Sequence, residues 1–269
     1  MLTLAHISDL HFGDASPLAV SRLRDELNAT APDVIIATGD LTQGGRKREF
    51  QQASEFLSSL QSELLVLPGN HDVPVRNLWA RFVAPYARYE RHIGADINPV
   101  LSDQKVTAVG LNSARRAALD INWSFGRLSR RQIGHAVQNL RAGADGSLRV
   151  VAVHHPFVQG PGTAGSRIVG RGEEALAAFA ENGLDVLFTG HVHVSKAEAV
   201  DVNGRGVVIA QAGTAASRRT RGQAPSYNMI TASSDTLQVD TRELCGSQFE
   251  QCQSVRFEKS KNAGWREST

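Results

Sequence analysis

The chain has 269 residues, 41% of them hydrophobic, which is enough for one large α/β domain or two small ones. Its formal net charge of +2 gives no global field that would demand a nucleic-acid partner. No apolar run is long enough to span a membrane, and two cysteines make neither a disulfide framework nor a metal-ligand pattern.

The first quarter of the chain alternates predicted strands and helices. Apolar runs predict strands at residues 2–7, 34–37 and 64–67. Apolar residues at helical spacing predict helices at residues 17–28 and 46–60. This β-α-β-α-β rhythm predicts a layered α/β fold.

An aromatic and basic segment, residues 76–92, follows the third predicted strand. Trp79, Phe82 and Tyr86 stand at helical spacing within it. We expect residues 76–100 to form an insertion that acts as a lid or as a subunit interface. An ordinary amphipathic helix packed on the core is the equal alternative.

The pattern changes from α/β to antiparallel β along the rest of the chain. Further strands are predicted at residues 105–111, 148–153 and 185–188, and helices at 128–140 and 173–181. Short strands joined by hairpin turns then follow, at residues 199–202, 206–210, 227–232 and 236–241. A fold of two packed mixed sheets with helices outside accommodates both the α/β part and the antiparallel β part of the sequence. After Arg242 the sequence is polar and poorly patterned, and we expect a partly disordered tail.

Most of the potential metal ligands lie in five short motifs at the ends of predicted strands. Side chains at the carboxyl ends of strands meet at one edge of an α/β sheet. A mixture of Asp, Asn and His suits a first-row transition metal better than Ca or Mg. The motifs therefore predict a two-metal centre that hydrolyses a phosphate ester. They are Asp9-Leu10-His11, Gly39-Asp40, Gly69-Asn70-His71-Asp72, His154-His155 and Gly190-His191-Val192-His193.

Asp40 is the candidate for the ligand that joins the two ions. Two ions held about 3.5–4 Å apart need one ligand with two oxygens between them. Asp40 follows a central predicted strand, and Gly39 lets the backbone turn sharply before it.

The motif order resembles that of the calcineurin-like metallophosphoesterase superfamily. The residues around the motifs, such as Ile7-Ser8-Asp9 and His154-His155-Pro156, are most similar to the bacterial class III cyclic-nucleotide phosphodiesterase and glycerophosphodiesterase branch. The resemblance covers positions 9 to 193. The β-rich sequence that follows fits one such domain over residues 1–243, with 244–269 as a polar tail.

The resemblance implies a four-layered α/β/β/α sandwich with two divalent ions, Mn, Fe or Zn. It implies that one ion is held by Asp9, His11, Asp40 and His193. It implies that the other ion is held by Asp40, Asn70, His154 and His191.

Catalytic and substrate-binding residues are predicted around these ligands. The expected reaction is attack of a metal-bound hydroxide on the phosphorus of a small phosphodiester. By resemblance, His71 is the acid or the donor to a phosphate oxygen, and Asp72 either orients it or caps a loop. Candidate substrate contacts, with exposed solubilising charge as the alternative reading, are Asn112, Arg115 and Arg218.

Three other functions stay open at this point. A UDP-diacylglucosamine-type pyrophosphate hydrolase would use residues 76–92 as an acyl groove. The modest net charge argues against a nuclease of the DNA-repair type. The intact ligand set argues against a metal-free scaffold that only binds partners. We expect a cytoplasmic protein, because the first residues read as a strand, and a homo-oligomer with residues 76–92 as a candidate interface.

Overall fold

The computed structural model describes residues 1–74, 78–115, 125–159, 168–218, 222–260 and 263–268. None of the described helices is long and apolar enough to cross a membrane. In chain order the described elements are β1 (Leu2–Ile7), α1 (Pro17–Thr30), β2 (Val34–Thr38), α2 (Lys47–Ser58), β3 (Glu63–Leu67), α3 (Leu78–Val83), α4 (Ala87–His92), β4 (Val100–Ser102), β5 (Val106–Leu111), α5 (Arg130–Ala142), β6 (Leu148–Val153), α6 (Gly172–Glu181), β7 (Val186–Thr189), β8 (Lys196–Val202), β9 (Arg205–Gln211), β10 (Ser226–Ala232), β11 (Thr236–Cys245), β12 (Gln248–Ser260) and β13 (Gly264–Glu267).

The described strands form one hydrogen-bonded sheet that folds into two layers. Its order is β3-β2-β1-β10-β11-β12-β13-β9-β7-β6-β5-β4, and β8 pairs with β9. In the first layer, β1, β2 and β3 run parallel and β10 continues the layer antiparallel to β1. In the second layer, β5, β6, β7 and β9 run parallel. Parallel strands in both layers bring their carboxyl ends to common edges.

Three apolar cores hold four layers together. The central core packs the two sheet layers on each other, with Ile36 of β2 and Val150 of β6 among its residues. On the outer side of the first layer, Leu23 of α1 and Phe50 of α2 pack against the sheet. On the outer side of the second layer, Phe179 of α6 does the same, together with α5. This arrangement confirms the predicted α/β/β/α sandwich.

The segment predicted to be a lid or an interface begins as two short helices, α3 and α4. The single predicted helix is interrupted around Pro85, because proline has no N–H to donate within a helix. Arg81 is buried and donates hydrogen bonds to the carbonyl oxygens of Pro74 and Arg115, both at 3.2 Å. The Tyr89 hydroxyl donates to the carbonyl oxygen of Val66 at 2.8 Å. These contacts attach the inner side of the segment to the body of the domain.

The predicted disordered tail is wrong, because its residues form the end of β11 and the strands β12 and β13. Phe257 of β12 and Trp265 of β13 are buried in the central core. Trp265 Nε1 donates to Asp185 Oδ1 at 2.9 Å, and Lys259 Nζ lies 2.7 Å from the same oxygen. The outer face of β12 is exposed, so most of its residues are polar and the apolar signal in its sequence is weak.

Candidate metal centre

All seven predicted metal ligands lie at the carboxyl ends of parallel strands in the two layers. The first layer contributes the loops after β1, β2 and β3, and the second contributes those after β6 and β7. Main-chain hydrogen bonds join neighbouring loops, from Asp9 N–H to the Gly39 carbonyl at 3.1 Å and from Gly190 N–H to the His154 carbonyl at 2.9 Å. The loops of both layers therefore meet over the central core.

The backbone at five of these ligands is left-handed. Their φ angles are 55° at Asp9, 48° at His11, 52° at Asp40, 72° at His191 and 59° at His193. This conformation costs a non-glycine residue roughly 1–2 kcal/mol. Such strain collects at functional sites, where the surrounding structure holds it in place.

Two glycines of the motifs allow their loops to approach the ligands closely. A side chain on Gly69 would collide with Asp40 Oδ1 and with the Asp40 backbone. A side chain on Gly190 would collide with Ser8 Oγ. Gly69 and Gly190 precede the ligands Asn70 and His191, so the two ligands reach the site through positions where only glycine fits.

One group of ligand atoms surrounds Asp9 Oδ1. His193 Nε2 lies 3.1 Å and His11 Nε2 lies 3.5 Å from this oxygen. The two ring nitrogens are themselves 3.2 Å apart. Asp9 and His11 are fully buried. The three side chains thus point their ligand atoms at one small volume.

The second group surrounds His154 Nε2. Asn70 Oδ1 lies at 3.1 Å, Asp40 Oδ2 at 3.2 Å and His191 Nδ1 at 3.3 Å from this nitrogen. Asp40 Oδ2 is also 3.9 Å from His11 Nε2, which belongs to the first group. The geometry therefore divides His191 and His193 between the two groups and places Asp40 between them.

Neighbouring groups fix the orientation of the ligands. His154 Nδ1 lies 2.7 Å from the Thr38 carbonyl oxygen, so this nitrogen donates a hydrogen bond to Thr38 and Nε2 is the atom turned toward the other ligands. Asp9 Oδ2 accepts hydrogen bonds from Ser8 Oγ at 2.6 Å and from His191 N–H at 2.9 Å. No sequence pattern predicts these roles, although Ser8 and Thr38 stand directly beside ligand motifs.

Electrostatics keep both carboxylates ionised. Burial alone raises the pKa of Asp40, but the neighbouring His154 and His71 outweigh it and hold that pKa below its usual range. Burial lowers the pKa of His154, yet the Asp40 carboxylate outweighs it and raises the pKa to about 9. Burial alone raises the pKa of Asp9, but interactions with His193, His11 and His154 together outweigh it and hold that pKa well below its usual range.

The donor set fits divalent metal binding. In each group, imidazole nitrogens stand about 3.2–3.3 Å apart beside a carboxylate oxygen. Facing lone pairs of this kind repel one another unless a proton or a metal ion lies between them. Imidazole, carboxylate and amide oxygen together are the ligands of borderline first-row metals. The side chains around these volumes could therefore hold divalent metal ions.

His71 stands beside the ligands and is oriented by the main chain. Its Nδ1 lies 2.7 Å from the Gln43 carbonyl oxygen, and its ring is edge-on to that of His11 with centroids 4.9 Å apart. Its backbone N–H donates to Asp40 Oδ1 at 2.8 Å. The hydrogen-bond partner of its ring is thus Gln43 and not the adjacent Asp72.

The Asp72 carboxylate holds two loops together. Asp72 Oδ2 accepts from the backbone N–H groups of Gly69 at 2.9 Å and Leu41 at 3.1 Å. Asp72 Oδ1 accepts from the backbone N–H of Thr42 at 2.8 Å and from its hydroxyl at 2.9 Å. Burial and the nearby Asp40 charge raise the pKa of Asp72 to about 6. These contacts are those expected if Asp72 caps a loop, which is the alternative to orienting His71.

The three predicted substrate contacts lie in two different places. Asn112 and Arg115 line a cavity whose described lining contains none of the seven ligands. Arg218 follows the loop after β9, and its backbone N–H donates to the Asp14 carbonyl at 3.3 Å. Arg218 therefore stands near the loop that follows His11, away from the wall formed by Asn112 and Arg115.

Comparisons with known proteins place this geometry among metallophosphoesterases. Residues 2–195 match the family model described as calcineurin-like phosphoesterase. The chain is 34% identical over 87 residues to a glycerophosphodiester phosphodiesterase, GpdQ, of Enterobacter lignolyticus strain SCF1, covering 26% of this chain and 30% of that protein. It is 25% identical over 166 residues to a probable cyclic nucleotide phosphodiesterase of a Synechococcus species, covering 58% of this chain and 59% of that protein.

A solved structure shares the fold. A dimetal phosphatase from Danio rerio superposes with a TM-score of 0.66 at 13% identity, covering 96% of this chain and 99% of that one. At this identity the likeness concerns the fold alone. The matched regions span less than two thirds of the length of the curated relatives named above.

Proposed function

The chain belongs to the calcineurin-like phosphoesterase family, and we propose that it is a phosphodiesterase with a binuclear metal centre. Its substrates are small phosphodiesters of the cyclic-nucleotide or glycerophosphodiester type. The observation that carries the proposal is the position of Asp40, whose Oδ2 lies between the two groups of ligand atoms. The curated relatives named above support the diester class, since their names are those of phosphodiesterases.

The residues of the site divide the work of hydrolysis. Two divalent ions, when bound, would supply charge neutralisation of the phosphoryl oxygens and activation of water. Asp40 and the two ligand groups hold those charges at fixed positions in a buried, strained scaffold, which limits reorganisation during the reaction. His71 is fixed through Nδ1 by Gln43, so Nε2 is the atom that faces the reacting phosphate.

His71 Nε2 is proposed to donate to the leaving oxygen. The leaving alkoxide needs a proton or a hydrogen bond as the bond to phosphorus breaks. For this role, His71 Nδ1–H donates to the Gln43 carbonyl and an Nε2–H is offered to the leaving oxygen. Asp72 is proposed to support this by holding the loops of Gly69 and Thr42 in place.

The charges around the site favour a diester over a monoester. Among the described residues, the ion pairs of Asp9 and Asp40 are all with histidines. A diester carries one negative charge and a monoester carries two near pH 7. A site without a lysine or arginine partner beside its carboxylates is therefore better matched to the monoanion.

A substrate panel tests the proposal. The purified protein with added Mn is assayed on bis(p-nitrophenyl) phosphate, p-nitrophenyl phosphate, cyclic AMP, glycerophosphoethanolamine and single-stranded DNA. We expect hydrolysis of the small diesters with a kcat/KM at least tenfold above that of the monoester. A preference for the monoester, or activity on DNA alone with steep salt dependence, would reject the proposed substrate class.

One observation keeps a lipid substrate as a second candidate. Trp79, Phe82 and Val83 of α3 are 76%, 52% and 61% exposed, so α3 presents apolar side chains to solvent. Such a surface suits contact with acyl chains. Hydrolysis of a UDP-diacylglucosamine analogue in detergent, without hydrolysis of the small diesters, would favour this candidate over the phosphodiesterase.

A further inference from the structure

A cavity beside the metal centre has the features of a second ligand site. It lies between the α3–α4 segment and the beginning of α5 and has a volume of about 880 Å³. We propose that it binds an organic phosphate of nucleotide size, with the phosphate near α5 and the organic part against α3 and α4. This proposal does not depend on the activity proposed above.

The cavity combines an apolar wall with a basic rim. Its volume falls in the range of about 300–1,000 Å³ that is usual for small-molecule sites. Val83, Pro85 and Ile97 form apolar wall. The basic residues stand on the other side of the cavity and are Arg115, Arg127 and Arg131.

The charge of the rim is not neutralised within the described part of the chain. Arg115, Arg127 and Arg131 form no ion pair with any described residue, and Glu90 is the acidic residue among the described lining. Arg130, the neighbour of Arg131, does have a partner, since its Nε lies 3.3 Å from Glu174 Oε1. These three arginines therefore line one cavity, where an anion would complement them.

The beginning of α5 adds to this positive potential. α5 has 13 residues, and its first turn holds arginines and no acidic residue. The N-terminus of a helix already carries partial positive charge, so a cation there is unfavourable. A bound anion would relieve this repulsion at Arg131.

Asn112 supplies an amide donor at the wall of the cavity. The residue is 7% exposed and lines the cavity. Its backbone N–H, its carbonyl and its Oδ1 are bonded to Asn98, Gln132 and Ala114 respectively. Its Nδ2 has no hydrogen-bond partner among the described residues. This Nδ2 donor is therefore available to a phosphate oxygen in the cavity.

The cavity adjoins the metal centre on the side of His191. Ser113, the residue after Asn112, has its Oγ 2.7 Å from His155 Nδ1. The His155 ring packs on that of His191 with centroids 4.7 Å apart. The phosphate therefore belongs either to a remote part of the substrate or to a separate small molecule bound next to the active site. Both sources share the chemistry that the cavity recognises.

Binding of 5′-AMP to neighbouring arginine variants tests the site. The metal-loaded protein is titrated calorimetrically with 5′-AMP, as wild type, Arg131→Gln and Arg130→Gln. We expect Arg131→Gln to weaken one binding event at least tenfold. The matched control Arg130→Gln should stay within twofold of wild type, because Arg130 lies outside the cavity lining. Adenosine, which lacks the phosphate, should bind at least tenfold more weakly than 5′-AMP.

The same variants separate the outcomes. Equal affinities of the three proteins for 5′-AMP would overturn the second site, because they would mean that 5′-AMP binds at the metal centre alone. Equal losses of affinity in both variants would overturn it as well. Both arginines are exposed, so both variants are expected to fold, and thermal unfolding checks this.

Inhibition kinetics identify the source of the phosphate. If 5′-AMP inhibits hydrolysis of bis(p-nitrophenyl) phosphate competitively and Arg131→Gln relieves the inhibition, the phosphate belongs to a remote part of the substrate. Non-competitive modulation that Arg131→Gln removes assigns it to a separate molecule. If the protein has no diesterase activity, the titration still decides whether the site exists.

Discussion

At the scale of single residues, the two oxygens of Asp40 serve different partners. Oδ1 accepts the backbone N–H of His71 at 2.8 Å, and Oδ2 faces His154 at 3.2 Å. One carboxylate thus positions the loop of the proposed acid and joins the two ligand groups. Asn keeps one oxygen that can accept the His71 N–H, but its NH2 group cannot replace Oδ2 as an acceptor or ligand, and Ala replaces neither oxygen.

The first prediction concerns His71, which is placed beside the ligands but not among the seven assigned to the metals. His71→Ala is expected to keep the metal content of the wild type and to lower kcat by roughly 10²–10⁴-fold, the usual contribution of a general acid. Elemental analysis and steady-state kinetics on the same preparation measure both quantities. Loss of metal in this variant would remove His71 from the catalytic role and make it a ligand.

The second prediction concerns Asp72, whose four accepted hydrogen bonds come from the loops of Gly69, Leu41 and Thr42. Asp72→Ala leaves buried N–H groups unpaired and is expected to lower the free energy of unfolding by about 3 kcal/mol or more. Asp72→Asn keeps one oxygen acceptor and should cost less. Urea unfolding of the three proteins measures the difference. Unchanged stability in Asp72→Ala, with kcat alone reduced, would instead support the orienting role suggested by the sequence.

At the scale of elements, β12 and β13 connect the two sheet layers. β12 pairs with β11 of the first layer, and β13 pairs with β12 and, at Gly264, with β9 of the second. Trp265 and Lys259 of these strands both contact the buried carboxylate of Asp185, at the start of β7. The end of the described chain therefore belongs to the core of the domain.

The third prediction follows from this position of β13. Trp265 is 3% exposed, so Trp265→Ala removes a buried ring and a hydrogen bond to Asp185 and should lower the free energy of unfolding by about 3–5 kcal/mol. The control is Trp79→Ala, since Trp79 is 76% exposed and its loss should cost no more than about 0.5 kcal/mol. Equal unfolding midpoints in urea for the two variants would show that β13 adds nothing to the core.

Strands were predictable where both of their faces are buried. β1, β2 and β6 are almost continuous apolar runs, and their predicted positions agree with the structure. β12 was not predictable, because only Phe249, Val255 and Phe257 point inward among thirteen residues, and the pairing of β11 with β12 shifts register after Thr241. A half-exposed strand of this composition resembles a polar tail.

The same limit applies to the site. The ligand types and their order were readable, since each ligand follows an apolar run. The groups that orient them were not, because the Thr38 and Gln43 carbonyls act through the backbone, and any residue provides a carbonyl. The cavity of Asn112 depends on the relative positions of α4 and α5, which no local pattern encodes.

At the scale of the whole molecule, the site connects the two sheet layers. Asp9 and Asp40 belong to the first layer, and His154 and His193 to the second, yet their side chains meet within 3.1–3.2 Å. Bound metal ions would therefore join the layers, since a ligand that binds only the folded state stabilises it. Metal binding would also offset the backbone strain of the ligand loops, where five ligands have left-handed φ angles.

The fourth prediction is that removal of the metals loosens the whole domain. Ions present at about 100 times their dissociation constant contribute about 2.7 kcal/mol each, which corresponds to several degrees in the unfolding midpoint. We expect chelation to lower the midpoint of thermal unfolding by about 5–10 °C. Asp40→Ala should be less sensitive to the chelator, because the ligand that joins the two ions is missing. An identical midpoint with and without chelator would argue against metal ions between the layers.

The most direct test of the shared Asp40 is an anomalous difference map from crystals of the Mn-loaded protein. We predict two peaks about 3.5–4 Å apart, with the Asp40 carboxylate between them. One peak should lie beside Asp9, His11 and His193, and the other beside Asn70, His154 and His191. A single peak, or two peaks that both lie out of reach of Asp40, would contradict the binuclear centre on which the proposed function rests.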